Sequence, residues 1–318
     1  MLDTPTIDKV KPDWAGENWL SRFVNVLIQT KPIYAVMKQQ ARRVLIKTAE
    51  TNGIPWRQRY QDLEASEVKS LFDQIQQSVT YPDYYQVPFH AYAEGNLCWP
   101  AAFEAESATY AMALRVWLQE ELTWPVAQDR LRSSFHEVLA EYGPKRVQNI
   151  LDVGCSVGLS TFPLHRFYQQ RQAGVETIGL DLSPHMLSVA KLRDAKGEIS
   201  QWKHAKAEET GFADQSFDIV TLQFVIHELP RSATREIFAE VLRILRPGGC
   251  IAIVDNNPKS DVIQNLPPVL FTLMKSTEPW SDDYYTFDVD AALQEVGFEH
   301  RATVASDPRH RTIVARKQ

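Results

Sequence analysis

Apolar runs of strand length recur along the second half of the chain. Residues 150–153, 177–182 and 216–223 are each short, rich in aliphatic side chains and bounded by polar or turn-forming residues. Such runs predict buried parallel strands. A helix stop at residues 245–249 precedes a further strand at residues 250–255, and residues 288–296 have helical spacing before Gly297.

The turn after the first of these strands has the composition of a ligand-binding corner. It contains Gly154 and Gly158, which predict that a ligand approaches the backbone closely there. The first free amides of the following helix are then expected to point at the ligand. A dinucleotide-binding turn is excluded because Ser156 and Leu159 occupy its third and sixth positions. A phosphate loop is excluded because no lysine lies between residues 152 and 161.

The second strand ends in an acid followed by a helix-start signal. Ser183 is a typical cap residue, and Pro184 suits the first helical turn. Asp181 is thereby predicted to lie at the edge of the sheet, where it can accept hydrogen bonds from two ribose hydroxyls.

The acidic strand end at Asp152, the Gly-x-x-x-Gly turn and the ordered downstream strands resemble the class I S-adenosylmethionine-dependent methyltransferases, with a methyltransferase type 11-like domain. The resemblance covers roughly residues 145–318. It implies a Rossmann-like α/β fold with a seven-stranded sheet whose last strand is antiparallel. Residues 298–305 and 310–315, around Asp307-Pro308, would form the terminal hairpin. The implied activity is methyl transfer, with S-adenosyl-L-methionine as cofactor.

The resemblance also implies a set of cofactor contacts. Gly154, Cys155 and Ser156 would touch the amino acid tail through their backbone, and Asp152 would favour its ammonium group. Asp181 would hold the ribose, Leu182 would lie against the adenine, and Gln223 would lie beside the reacting methyl group. The expected cofactor-binding residues are Asp152, Gly154, Cys155, Ser156, Gly158, Asp181, Leu182, Ala207, Glu208 and Gln223.

Two positions depart from the family pattern. Lys206 stands where many relatives have an acid that accepts the adenine amino hydrogen, and a lysine cannot accept a hydrogen bond. The Ala207 amide can still serve the adenine ring, and Glu208 or water could supply the missing acceptor. Ser156 replaces the usual middle glycine, which predicts that its backbone does not need a positive φ.

His227 is the candidate catalytic residue, because it lies just past the fourth strand and an imidazole of ordinary pKa can accept a proton at neutral pH. A packing or capping role is the alternative. Residues 224–230 lack the Asp/Asn-Pro-Pro-aromatic loop of enzymes that methylate amide or exocyclic amino nitrogens. This absence favours a small-molecule acceptor.

The first 144 residues predict a mostly α-helical N-terminal region, with helical periodicity at 16–50 and 104–142. We therefore divide the chain into two parts. Residues 1–144 form a mostly helical N-terminal region, for which one candidate role is to cap the substrate, and residues 145–318 form the methyltransferase domain. Residues 81–100 are dense in aromatics and form either a structural plug or one wall of a substrate pocket. Residues 261–280 are a second candidate cap. The candidate substrate contacts of the first segment are Tyr84, Tyr85, His90, Glu94 and Asn96.

Composition limits the remaining possibilities. A formal charge of −6 over 318 residues disfavours nucleic acid as a partner, and no apolar run reaches the length of a membrane span. Three dispersed cysteines and an N-terminus without a secretion signal predict a cytoplasmic protein without a metal site. Oligomeric state is not indicated. One helical stretch is basic, with an apolar side opposite; its basic residues are Lys38, Arg42, Arg43 and Lys47, and its apolar residues are Ile33, Met37, Val44 and Leu45.

The leading hypothesis is a cytoplasmic methyltransferase acting on a small, partly apolar metabolite. One alternative is a non-catalytic binding or assembly protein that keeps the fold, since a fold alone does not secure a reaction. Another is methylation of protein or RNA, for which the basic stretch would be the contact surface.

Overall fold

The described residues contain a single mixed β-sheet. The structure is a computed structural model that describes residues 31–90, 92–267 and 277–318, with the backbone alone for residues 31–39 and 41. Within this part of the chain, seven strands pair in the order β3-β2-β1-β4-β5-β7-β6. They are β1 (Asn149–Val153), β2 (Glu176–Asp181), β3 (Gln201–His204), β4 (Phe217–Gln223), β5 (Leu245–Asn256), β6 (Phe298–Val304) and β7 (His310–Lys317).

Strand direction places the candidate site. The first five strands are parallel, whereas β7 runs antiparallel to both β5 and β6. The strand order reverses between β1 and β4, and ligands of open α/β sheets bind outside the carboxyl ends of the strands at such a point. The predicted Rossmann-like sheet with its terminal antiparallel hairpin is therefore confirmed.

Helices cover both faces of the sheet. They are α1 (Lys31–Thr51), α2 (Trp56–Ala65), α3 (Phe72–Ile75), α4 (Trp99–Ala113), α5 (Trp124–Tyr142), α6 (Thr161–Gln169), α7 (Pro184–Arg193), α8 (Arg231–Ile244), α9 (Asp261–Gln264), α10 (Ser281–Tyr285) and α11 (Val289–Val296). Short 3₁₀ turns lie at Glu67–Leu71, Asp83–Tyr85 and Ile226–Glu228. None of the helices in the described ranges combines the length and apolarity needed to cross a membrane.

Local signals explain two of the helix ends. The Ser183 side chain accepts a hydrogen bond from the Met186 amide at 3.2 Å at the start of α7. Helix α11 ends at Gly297, whose φ of +116° leaves the right-handed region and stops the helix. Both boundaries were predicted from these residues.

Helix α5 belongs to the sheet core although it lies within residues 1–144. Its Phe135, Val138 and Leu139 pack with Ile150 of β1 and Ile219 of β4 in one buried cluster. The helices before α5 reach the sheet layer through α4 and α3, which both pack against α7; Ile75 of α3 also shares a buried cluster with Trp202 of β3. The helical region and the sheet are thus joined through shared packing.

The basic stretch of α1 is oriented differently from the prediction. Val44, expected on the apolar side, is 54% exposed, whereas Ile46 and Ala49 are buried. Arg42 forms an ion pair with the buried Glu104 of α4. Residues 42, 46 and 49 share one helix face, so this ion pair turns that face toward the protein. The side chains of Ile33, Met37 and Lys38 lie outside the described residues.

Gly158 provides a test of the packing beneath the turn after β1. A Cβ at Gly158 would lie 2.8 Å from the Trp202 ring and 2.9 Å from the Phe162 ring, and the residue has a φ of +81°. We expect Gly158→Ala to lower the free energy of unfolding by about 3 kcal/mol, through overpacking and left-handed strain. Gly174→Ala is the control, since its φ is +77° but its Cβ would meet nothing within 4 Å. Denaturant titration should give the control a loss of about 1 kcal/mol; equal losses would contradict the packing argument.

Candidate functional site

The turn after β1 alternates between ordinary and left-handed backbone. Gly154, Ser156 and Gly158 have φ values of +69°, +49° and +81°. The prediction that Ser156 does not need a positive φ is wrong. The left-handed conformation directs the Ser156 amide to the Asp181 carboxylate, to which it donates a hydrogen bond of 2.8 Å. A serine is tolerated here at a strain cost of about 1 kcal/mol.

The amides of this turn are used within the protein. Those of Gly154 and Cys155 both donate to the Leu180 carbonyl, at 2.8 and 3.0 Å. The Ser156 amide is held by Asp181. The predicted contact of these three residues with a ligand tail therefore has to go through carbonyl oxygens, which accept from an ammonium group.

The two glycines make room for the protein's own side chains, and the close approach of a ligand to this backbone stays a prediction. A Cβ at Gly154 would lie 2.5 Å from Val225 Cγ2, and one at Gly158 would meet the Trp202 and Phe162 rings. Gly154 lets the segment after β4 approach β1, and Gly158 lets aromatic rings pack beneath the turn. Cys155 is buried, and desolvation raises the pKa of its thiol well above the ordinary value.

Asp152 is a structural centre of the turn. Its carboxylate is fully buried and accepts four hydrogen bonds. They come from Ser160 Oγ at 2.8 Å, Thr161 Oγ1 at 2.7 Å, Thr221 Oγ1 at 2.6 Å and Gln223 Nε2 at 3.3 Å. These bonds occupy the carboxylate within the protein, and its predicted effect on a ligand ammonium group, electrostatic or through water, stays a prediction.

Arg132 is a functional candidate that sequence reasoning missed. This α5 residue is only 5% exposed, and its Nη1 donates to Gln223 Oε1 at 3.4 Å. Desolvation, partly offset by the nearby Asp152 charge, lowers the pKa of Arg132 to about 10, so the guanidinium stays charged at neutral pH. In the orientation that satisfies its amide, Gln128 accepts from Arg132 Nη2 at 3.2 Å and from Nε at 3.0 Å, so every guanidinium nitrogen has a partner within the protein. Gln223, the predicted neighbour of the methyl group, is itself turned inward between Arg132 and Asp152.

Asp181 lies at the carboxyl end of β2, where it was predicted. Its two oxygens accept the amides of Ser156 and Ser183, each at 2.8 Å. Desolvation raises the pKa of Asp181 to about 6, against the lowering effect of these amides. Each oxygen retains a second lone pair, which matches an adjacent pair of hydroxyls. Leu182 is buried beside it, and its carbonyl oxygen lies 3.1 Å from His204 Nε2.

Glu208 is oriented by the aromatic segment before α4. The Tyr84 hydroxyl donates to Glu208 Oε1, while Glu208 Oε2 is buried and has no hydrogen-bond partner among the described residues. An unpaired buried carboxylate oxygen is a costly acceptor that a ligand donor would satisfy. Lys206 is paired with Glu209 at 2.9 Å. Ala207 is partly buried against the core beside them.

We name residues 81–98 the cap segment, because they cross the carboxyl edge of the sheet. The Ser183 hydroxyl donates to the Asn96 carbonyl at 2.6 Å, and Trp280 Nε1 donates to the Tyr84 carbonyl at 3.3 Å. The His90 amide donates to the Thr277 carbonyl at 3.0 Å. The cap segment is thus attached to the sheet and to the segment before α10. Tyr85 is partly buried there, and desolvation together with Asp181 and Glu228 raises its pKa.

His227 is held as a cation. Its Nδ1 lies 2.8 Å from the buried Asp255 Oδ1, and its amide donates to Asp255 Oδ2 at 3.2 Å. Burial disfavours the charged ring, but the Asp255 carboxylate outweighs it and raises the pKa of His227 to about 10. The raised pKa favours the protonated ring, so it argues against the hypothesis that His227 accepts a proton at neutral pH.

Glu228 faces the cap segment next to His227. Its Oε1 lies 3.8 Å from His90 Nε2, and its Oε2 accepts from Asn96 Nδ2 at 3.5 Å. Desolvation raises the pKa of Glu228 to about 8; His227 opposes this rise, and Glu278, Asp255 and Asp181 reinforce it. Sequence reasoning named His90 and Asn96 but missed Glu228. Its environment depends on carboxylates from three distant segments.

Phe224 follows β4 with a φ of +62°, which is rare for an aromatic residue. Its amide donates to the Val254 carbonyl at 2.8 Å, and its ring lies between Arg132 and His310. Strained backbone of this kind concentrates at functional sites. Nothing in the local sequence signalled it.

Comparison with known proteins agrees with this geometry. Residues 151–253, from β1 to β5, match the methyltransferase domain family. The chain is 30% identical over 152 residues to an uncharacterised methyltransferase of Synechocystis, covering 48% of this chain and 66% of that protein. It is 31% identical over 127 residues to a ubiquinone/menaquinone biosynthesis C-methyltransferase of Desulfotalea psychrophila, covering 40% of this chain and 49% of that protein.

A solved structure of an S-adenosylmethionine-dependent methyltransferase from Aquifex aeolicus aligns with 60% of this chain and 97% of its own, at 20% identity and a TM-score of 0.45. The chain spans about half to two thirds of the length of the curated relatives above. With the family match centred on the strands that build the site, the chain belongs to the class I S-adenosylmethionine-dependent methyltransferases, whose cofactor is S-adenosyl-L-methionine.

Proposed function

We propose that this protein transfers a methyl group from S-adenosyl-L-methionine to a small, partly apolar metabolite bound beneath the cap segment. The observation that carries the proposal is a row of buried, incompletely paired polar groups along one sheet edge. Asp181 and Glu208 each have an acceptor position for a further partner, and the Arg132 guanidinium keeps spare N–H donors beyond its contacts with Gln223 and Gln128. A reducing cytoplasm, which suits the free thiols of the chain, is part of the proposal.

The residues present fit the cofactor part by part. Asp181 has lone pairs for the ribose hydroxyls, and Glu208 Oε2 is an acceptor for the adenine amino group. Arg132 supplies a cation for the tail carboxylate. Carbonyl oxygens of the β1 turn, with the buried negative charge of Asp152 behind them, suit the tail ammonium.

The bound cofactor supplies a methyl group on a positively charged sulfur, so the chemical step requires little from the protein beyond orientation. The cap segment provides an aromatic wall over the sheet edge through Tyr84, Tyr85 and Phe89. Such a wall excludes water and favours a planar or apolar acceptor. The relative from Desulfotalea is named for quinone biosynthesis, which supports an acceptor of this kind.

Methyl transfer is the direct test. The protein is incubated with S-adenosylmethionine labelled on the methyl group and with fractionated small-molecule extract, and labelled products are separated by chromatography. We expect labelled product with the unchanged chain. Asp181→Asn should weaken cofactor binding by about 10- to 100-fold, because a charged acceptor of hydroxyl groups is lost.

Asp214→Asn is the control, since Asp214 is exposed and pairs with Arg243 away from the crevice. Tight cofactor binding without transfer to any fraction would favour the non-catalytic alternative. Undiminished binding by Asp181→Asn would contradict the assignment of the ribose site.

Arg132 predicts selectivity for the tail carboxylate. The unchanged protein should bind S-adenosylmethionine about 10- to 100-fold more tightly than its decarboxylated analogue, because the carboxylate pairs with a buried cation. Arg132→Met should remove most of this difference, as measured by calorimetry. Arg130→Met is the control, because Arg130 lies on the same helix and pairs with the exposed Glu120. Equal selectivity in all three proteins would exclude Arg132 as the tail partner.

Glu208 predicts recognition of the adenine amino group. The unchanged protein should prefer S-adenosylhomocysteine to its inosine counterpart, which presents an oxygen at the same place. Glu208→Ala should reduce this preference by about tenfold, since one hydrogen bond to a charged group is worth about 1.5–3 kcal/mol. Glu209→Ala serves as the neighbouring control because Glu209 is exposed. A preference that survives in Glu208→Ala would show that another group reads the adenine.

A further inference from the structure

Glu228 is surrounded by titratable groups from every element that packs around it. His90 and Tyr85 come from the cap segment, and His227 is its neighbour in the chain. Asp181 of β2, Asp255 of β5 and Glu278 before α10 are the carboxylates that influence it. Only His227 in this group is positively charged at neutral pH, and its charge is committed to Asp255 at 2.8 Å.

The geometry leaves Glu228 available to a ligand. Its side chain is 25% exposed, whereas that of Asp255 is 1% exposed. Its described polar neighbours are Asn96 Nδ2 at 3.5 Å and His90 Nε2 at 3.8 Å, both long for hydrogen bonds. The His90 backbone has a φ of +47°, and its amide donates a hydrogen bond to the Thr277 carbonyl. The Glu228 carboxylate thus faces His90 and Asn96 without a short hydrogen bond to either, so its oxygens can accept from a ligand.

We propose that Glu228 is the general base for an acceptor that reacts through an ionisable hydroxyl group, a phenol or an enol. This inference rests on the proposed function and names the acceptor class for the same site. His227 is then a positioning residue, since its ring and its amide tie this turn to Asp255. His90 faces the Glu228 carboxylate from the cap side, with 3.8 Å between Nε2 and Oε1.

The need for a base favours a hydroxyl over an amine. A neutral amine attacks the methyl group through its own lone pair and needs no base before the transfer. A phenol becomes a strong nucleophile when it loses its proton, so it uses a carboxylate oxygen that is free to accept one. A phenol also enters the acidic crevice uncharged, so it avoids repulsion from Asp181, Asp255 and Glu278.

The proposed step balances as follows for oxygen methylation. Glu228 Oε1 takes the hydroxyl proton, and the phenolate oxygen attacks the methyl carbon. An oxygen–carbon bond forms as the carbon–sulfur bond breaks, and its electron pair stays on the sulfur, which becomes a neutral thioether. The proton then leaves Glu228 for solvent. A base whose pKa is raised to about 8 is well matched to a weakly acidic hydroxyl.

Spectroscopy of a bound phenol tests the base directly. With S-adenosylhomocysteine present, 4-nitrophenol is titrated into the protein, and the phenolate absorbance reports proton transfer without turnover. Below the pKa of free 4-nitrophenol, we expect the bound phenol to be more ionised in the unchanged protein than in solution, and no more ionised than in solution in Glu228→Gln. Glu121→Gln, at an exposed position outside the crevice, should behave like the unchanged protein. A bound phenol that stays neutral in the unchanged protein would overturn the proposal.

Transfer rates to a series of substituted phenols give the second measurement. In the unchanged protein the rate should rise with pH through about 8, since only the deprotonated carboxylate is active. Glu228→Gln should lose about 10²- to 10⁴-fold with weakly acidic phenols and much less with acidic ones, which ionise unaided. The role of Glu228 as general base would be overturned if Glu228→Gln lost the same factor in rate with every phenol of the series. It would also be overturned if the unchanged protein methylated amines and no phenol.

Two controls separate this inference from the wider proposal. Calorimetry with S-adenosylhomocysteine and thermal unfolding should show that Glu228→Gln binds the cofactor product and folds normally. Glu228→Asp keeps the carboxylate and should recover part of the rate and its pH dependence. If the unchanged protein transfers label to extract but ionises no phenol, the acceptor class fails while the methyltransferase function stands.

Discussion

The buried Asp152 carboxylate holds the site together. Its four hydrogen bonds join the end of β1 to the start of α6 and to the end of β4. A carboxylate without solvent is stable only when its lone pairs are occupied in this way. Because Gln223 is one of the donors and also accepts from Arg132, the network extends to α5. The N-terminal helical region is thereby tied to the geometry of the sheet edge.

Three groups of polar residues lie around this centre along the carboxyl edge of the sheet. The β1–β2 side presents Asp181 and Glu208, which suit a nucleoside, and the α5 side presents Arg132, which suits an anion. On the far side, under the cap segment, His227 lies among the carboxylates of Glu228, Asp255 and Glu278. The cap segment reaches both sides, since Tyr84 contacts Glu208 and Asn96 contacts Glu228. One stretch of chain therefore contacts both parts of the proposed site.

Local features of the sequence were sufficient for most of the fold. Strand-length apolar runs, the Ser183-Pro184 start of α7 and the Gly297 stop act over a few residues, and each was predicted correctly. Asp181 was also placed correctly, because an acid at the end of a parallel strand has only one edge on which to lie. By contrast, the conformation of Ser156 depends on a carboxylate 25 residues away. Arg132 became a candidate only through its hydrogen bond to Gln223, 91 residues away. Similarly, the protonation of His227 depends on Asp255, which an inspection of residues 224–230 does not reveal.

The indole of Trp202 occupies the space that two glycines leave open. It lies 2.8 Å from the place of a Cβ at Gly158 and 2.6 Å from that at Gly179, so one ring on β3 fixes residue identity on the turn and on β2. A side chain at either glycine is therefore costly while the ring remains. Homologues that keep the tryptophan should keep both glycines, and a smaller residue at 202 relieves only part of the crowding, because the Phe162 ring and Cys155 Sγ each lie 2.9 Å from one of the two Cβ places.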